Sequence, residues 1–229
     1  MVRCFLLLVL SHYFMGLQAQ NVLKEGKVLF DINYENVPVQ YQSKVEQLAK
    51  DAVIYFKGNK SRTEMGIGIF GKNTTIVDKD SNTVYVLLTV FGNRFALKKT
   101  TQELTQLKNP NQLLLKPVLL PDDRVIAGFK CKHLVLKTVM QSDTLESHCW
   151  YSPEIIPINF NNDPSFEQIE GMVLEFYIQA DQMKIHLKAK EVASVPIEST
   201  QFKVPINYQM LDEVELNKRM EAIMNKSRD

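Results

Sequence analysis

The chain has 229 residues, 27 Lys and Arg against 26 Asp and Glu, 45% apolar and 23% charged residues, and three cysteines. Those figures exclude a collagenous, low-complexity or disulfide-dense chain. A balance near zero also argues against a dedicated nucleic-acid binder, which needs a basic excess, and the length suits one domain or at most two small ones.

Residues 1–19 read as a secretory signal peptide. Arg3 is their only charge, Phe5 to Leu10 is an unbroken apolar run, and Ala19 offers a small residue for cleavage before Gln20. Ser11 and His12 break the apolar stretch, which is too short to span a bilayer. Cys4 lies too near the start to carry a lipid anchor. Cleavage would remove Arg3 and leave 26 basic and 26 acidic residues. The expectation is an exported protein, periplasmic or extracellular, with no transmembrane segment in residues 20–229.

From residue 27 onward, alternation with period two dominates. Val28, Phe30, Ile32 and Tyr34 share one face of a first strand. Ala52–Phe56, Ser61–Phe70, Thr74–Asp78, Thr83–Phe91 and Arg94–Lys98 follow, separated by turns rich in Gly, Asn and Asp. Phe129–Val139 and Thr144–Tyr151 form a hairpin around Gln141, Ser142 and Asp143. Met172 to Ala180 and Met183 to Ala189 are the last long pair, with Glu175, Gln179, Lys184, His186 and Lys188 on their wet side. Short turns point to an antiparallel meander, since parallel strands need long crossovers. Helices are expected at Gln40–Lys50, Thr101–Leu107 and Leu211–Met224, the last being the clearest. The fold class is mainly β: a single domain over 20–229 with about ten strands, a few covering helices and a C-terminal helix near 210–225.

Two cysteines remain after export, Cys131 and Cys149, and an even count in an oxidising compartment suggests a disulfide. A hairpin centred near residue 140 sets them opposite each other, whereas a centre near Asp143 misses that pairing. Two free buried thiols are the alternative. His133 and His148 stand beside them. Period two allows at most three of these four groups to converge, so a zinc site is disfavoured.

The paired acids Asp78 and Asp80, Asp122 and Asp123, and Glu167 and Glu170 all sit in or beside turns, where solvated carboxylates are ordinary. Gly66 to Gly71 is rich in glycine, but no helix follows it to cradle a phosphate. No nucleophile elbow, metalloprotease helix or nucleotide loop is present. No cofactor, metal or catalytic residue is expected.

Several segments carry a family resemblance. They are Gly26-Lys27-Val28 with Tyr34-Glu35, Tyr55 to Arg62, Ile126 to Lys132, Trp150-Tyr151-Ser152-Pro153-Glu154, Gly171 to Glu175, and Phe202 to Tyr208. Together they resemble a family of uncharacterised exported bacterial proteins, a domain of unknown function associated with the LolA/LolB-like lipoprotein carriers. That resemblance implies a strongly curved antiparallel sheet, a half-open barrel lidded by helices, with an apolar interior. It implies a non-catalytic carrier for a lipid, acyl or other apolar ligand of the cell envelope, a lipid or a lipoprotein being the partner. The candidate lining is Phe30, Ile32, Leu174, Phe176, Ile185 and Leu187, with Trp150 at a strand end. The irregular segment Ile155–Phe166 suits a lid or an ordinary connection. A structural or protein-binding component of the envelope with a filled core is the alternative. A hydrolase or metal-dependent enzyme is the least favoured reading, since it requires His133, His148 or His186 to meet an acid inside a cleft.

Overall fold

The computed structural model describes residues 22–66, 68, 71–100, 102–103, 112–140, 143–158, 166–180 and 182–226. The expected signal peptide lies outside them, as does most of the expected helix at Thr101–Leu107, of which 102–103 are helical. Thirteen strands are described: β1 (Glu25–Glu35), β2 (Asp51–Lys57), β3 (Lys60–Gly66), β4 (Gly71–Asp78), β5 (Thr83–Val90), β6 (Asn93–Thr100), β7 (Gln112–Leu114), β8 (Val118–Ile126), β9 (Phe129–Met140), β10 (Asp143–Ser152), β11 (Met172–Ala180), β12 (Met183–Ala193) and β13 (Gln209–Leu211).

They form one sheet in the order β13-β6-β5-β4-β3-β2-β1-β12-β11-β10-β9, with β7 and β8 sharing the far side of β9. Every described pair is antiparallel except β13 with β6. No described pair joins the two ends, so the sheet is unclosed. Irregularities in register at Leu29/Phe30, Trp150/Tyr151 and Leu120/Arg124 bend it, as bulges do.

The ten strands read from alternation are present, and the sheet adds β7, β8 and β13. All three lie at an edge of the sheet; Pro117 falls in the connection between β7 and β8, and Pro121 is tolerated within β8 because an edge strand has N–H groups with no ladder partner. The pair Asp122-Asp123 does not end β8. It occupies the register irregularity between Leu120 and Arg124. At the expected helix Gln40–Lys50, only Val39–Gln42 is α-helical and Val45–Gln47 is a 3₁₀ turn. The sheet claims the rest: Ile32 N–H donates to the Lys50 carbonyl and Tyr34 OH donates to the Ala49 carbonyl at 2.8 Å. Gly68, at φ 64, packs so close to the Gln47 carbonyl that a side chain would collide with it. That contact is one use of the glycine-rich stretch, and it is structural. The C-terminal helix spans Glu213–Lys226.

Register defines two faces. The inner one carries Val28, Phe30 and Ile32 of β1, paired with Ile54 and Ala52 of β2 and with Ala189 and Leu187 of β12. With Phe56, Leu134, Leu136, Leu174 and Phe176 they form the main buried cluster, which Ile155, Ile158 and Ile169 cover. Farther along the same face, Phe95 and Leu97 pack against Leu216, Met220 and Ile223, so the C-terminal helix lids β5 and β6. On the outer face of β4–β6, Ile76, Leu87 and Ala96 are covered by Ile197 and Phe202. Thr74 to Val77 are therefore four consecutive buried residues. Alternation toward water fails there because both faces are covered.

Candidate functional site

The expected cysteine pairing does not form. The β9–β10 ladder pairs Cys149 with Leu134, three residues along from Cys131. An odd offset puts the two thiols on opposite faces: Cys131 shares the outer face with His133, and Cys149 shares the inner face with Phe176. Both are free and buried. Burial pushes each thiol up to about 12. The same split parts Cys149 from His133 and His148, and among the described residues no group of three His, Cys, Asp or Glu forms a metal cluster.

The β10–β11 ladder is short. It runs through four residue pairs, from Ser152 with Met172 to Cys149 with Phe176, and stops. β10 continues back to Asp143 and β11 on to Ala180. By contrast, β9 and β10 pair over nine residues without interruption. Past Cys149 the two strands therefore splay, and a cavity lies on each side of the gap. The inner one, about 210 Å³, is lined by Leu136, Thr138, Cys149, Phe166, Phe176 and Ile178. The outer one, about 270 Å³, adds Glu146, Trp150 and Lys184. Leu145, Ser147, His148, Tyr177 and Gln179 border both, so the two cavities share the walls of one cleft between the strands. Leu145 and Ile178 belong to the inner face by register, yet each is 38% exposed, so the apolar face is open at this end. Phe166 meets Phe176 edge-on at 5.2 Å between centroids. Its side chain also borders a third cavity, about 730 Å³, lined by Pro153, Ile155, Pro157, Ile158 and Ile169. Of the segment expected to serve as a lid or connection, residues 159–165 lie outside the described residues, while Ile155, Ile158 and Phe166 both pack on the core and wall this hollow.

A polar belt braces the outer side of the cleft. Glu175, expected on the wet side, is only 2% exposed. Arg124 Nη1 donates to its Oε2 at 2.9 Å, His186 Nε2 lies 2.9 Å from its Oε1, and Lys188 Nζ lies 3.5 Å away. The Arg124 guanidinium covers the Trp150 ring at 3.3 Å, and His133 stacks on that ring at 4.1 Å. His133 Nδ1 bonds Asp122, and its Nε2 lies 2.8 Å from His148 Nδ1. Ionised Asp122 only accepts, so His133 donates through Nδ1–H in that bond. The His133 bond holds the Asp122 carboxyl below its usual range. Tyr177 stacks on His186 at 4.4 Å, with Lys184 over its other side. Burial first, then Glu175, raises the Tyr177 phenol. The Trp150 Nε1 is buried without a hydrogen-bond partner among the described residues.

The expected lining residues fall into two groups. Phe30, Ile32, Leu174, Phe176 and Leu187 are all in the main cluster, with Ile185 packed against it; of these, Phe176 also lines the inner cavity. Trp150 lies in the main cluster too and lines the outer cavity instead of the inner one. It pairs with Glu175 and His133 and so faces the other side of the sheet, at the outer rim. All three described histidines do lie near acids or each other, but in the belt on the outer face. Sequence reading missed Arg124 and Glu175. The available signal was a carboxylate flanked by Leu174 and Phe176, four residues before the strand's other polar residue, Gln179.

No family model matches the chain, and no curated protein does. Among solved structures, the lipoprotein LppX of Mycobacterium tuberculosis is similar at 10% identity and a TM-score of 0.40, over 83% of this chain and 97% of that one. LprF of Mycobacterium bovis is similar at 11% identity and a TM-score of 0.33, over 84% and 93%.

Proposed function

We propose that this chain is a non-catalytic, exported binding or carrier protein of the cell envelope that takes a single apolar chain, such as a fatty acyl group, through the β10–β11 cleft. The observation that carries this reading is the end of the ladder at Cys149 and Phe176 beside an apolar inner face. The tail would lie against Leu136, Phe176 and Ile178, and the polar end would face His148, Tyr177 and Lys184. Ligand cavities usually start near about 300 Å³, so the inner space alone holds part of a chain. The outer space extends it, and rotation of Phe166 would join it to the hollow beyond. Binding would rest on apolar burial at roughly 25 cal/mol per Å² before ordering costs, with no covalent step. A LolA-like carrier is the finer form of the same proposal. Among the described residues, no helix is long and apolar enough to cross a membrane, which says nothing of strands.

A second reading has its own observation. Phe30, Leu174 and Leu187 are fully packed, as an interaction protein with a filled core requires. Native mass spectrometry before and after solvent extraction, followed by refilling with palmitate, separates the two. The carrier reading expects a removable acyl mass in wild type and none in Ile178→Glu. No bound acyl chain and no refilling would leave the interaction reading standing.

A further inference from the structure

The other half of the sheet carries a groove of about 800 Å³ on the outer face of β2–β6. The segment 197–208 forms its wall and is firmly held. Phe202 and Ile197 are buried on Ile76, Leu87 and Ala96. Arg62 Nη1 donates to the Gln201 carbonyl at 3.1 Å, Lys57 Nζ to the Ile197 carbonyl at 3.1 Å, and Tyr208 OH shares a bond with Thr89 Oγ1 at 2.8 Å. Between these anchors Tyr208 N–H closes a turn onto the Pro205 carbonyl. Ile206 sits in that turn at 104% exposure, and Met210, 49% exposed, lines the same groove.

Lys57, Lys60, Lys98 and Lys203 border the groove, against one acid, Asp78. Lys57 is paired with Glu25 and Lys60 with Asp78. Lys98 and Lys203 are exposed and have no ion pair among the described residues. In a chain with balanced charge, a basic rim around an apolar tip is a local feature.

We propose that this groove docks on an anionic lipid bilayer. Ile206 and Met210 would enter the boundary between headgroups and acyl chains, while the lysine stems lie along it and their ammonium groups meet phosphates. A nucleic acid offers the phosphates without the apolar layer. A bilayer offers both in one plane, and a tip fixed by three hydrogen bonds loses little freedom on entering it. Docking does not depend on the β10–β11 cleft being filled.

Co-sedimentation of the full chain with phosphatidylcholine vesicles, with and without phosphatidylglycerol, tests this. The readout is the ratio of the two partition coefficients, so that equal contributions from the apolar N-terminal run cancel. Each lysine at an anionic surface changes partition by about fivefold, so Lys98→Glu with Lys203→Glu should lower the ratio by more than about tenfold. Ile206→Asp should lower partition onto anionic vesicles by about fivefold, without lowering the melting temperature. Ile178→Glu should dock like wild type. Equal binding to both vesicles, or wild-type docking by Ile206→Asp, would overturn the proposal. Displacement by millimolar inorganic phosphate with no effect of Ile206→Asp would also overturn it, in favour of a small-anion site.

Discussion

In β2–β6 both faces of the sheet are covered, the outer by Ile197 and Phe202 and the inner, over β5 and β6, by the C-terminal helix. In β9–β12 the outer face is buried at Cys131, His133, Trp150 and Glu175, where the covering groups among the described residues include the Arg124 guanidinium. The inner face of these strands is open where Leu145 and Ile178 reach water. The first half keeps full ladders between β2 and β6. The second keeps a full ladder between β9 and β10, and a short one between β10 and β11. The difference assigns different work to the two halves. The covered strands, and the main cluster that Ile155, Ile158 and Ile169 cover, supply stability. The open half gives up ladder bonds and apolar burial at the cleft, and the Arg124–Glu175–His186 belt offsets part of that loss by tying β8, β11 and β12 together on the outer side.

The largest contrast is chemical. With both thiols raised to about 12, native Cys131 and Cys149 should react with a thiol reagent at pH 8 about a thousandfold more slowly than a free cysteine. Both should titrate at once in denaturant. Slow reaction of one thiol alone would show that one face of the hairpin is open.

Next comes the covered half. Phe56→Ala removes a fully buried ring and should cost about 3–5 kcal/mol in urea unfolding. Ile178→Glu in the open half should cost far less and abolish ligand uptake. Glu175→Ala should cost about 3 kcal/mol, at the low end for a broken buried pair, because Arg124 and Lys188 keep part of their hydration. A loss under 1 kcal/mol would remove the belt from the account.

Acid should weaken the protein through carboxyls held low in the folded state. Lys60 lowers Asp78. At Glu64, burial raises the pKa, but the Lys72 and Arg62 bonds outweigh it and the net direction is down. A depressed folded pKa adds stability above the unfolded value, near about 4, and that stability is lost as pH falls through the folded value. Stability should therefore hold from pH 7 to about 5 and decline below about 4.5. The smallest effect is expected for Lys137→Ala, whose exposed pair with Glu146 is screened by water and should leave the urea midpoint unchanged.

Much of the sheet was legible because alternation follows directly from one wet and one dry face. Val28 to Tyr34 and Met172 to Ala180 show it without ambiguity. The hairpin around Gln141 was legible too, but its register was not. Moving the centre from residue 140 to between 141 and 142 shifts every pair by three residues and turns a disulfide into two separate thiols. β7 and β8 escaped notice because Pro117, Pro121 and Asp122-Asp123 carry turn chemistry, which an edge strand tolerates. The cleft was not legible at all. Nothing in Thr144–Tyr151 or Met172–Ala180 says where their ladder stops, since that depends on how the sheet bends. Glu175 looked wet because its cover comes from Arg124 and Trp150, far away in sequence.

Trp150 is the only tryptophan and borders the outer side of the cleft, so it reports on the central claim directly. Titration with a fatty acid brominated near its carboxyl end should quench its fluorescence in a saturable way, and the quenching should vanish in Ile178→Glu. Binding without quenching, or equal quenching in wild type and Ile178→Glu, would contradict the assignment of the β10–β11 cleft as the ligand site.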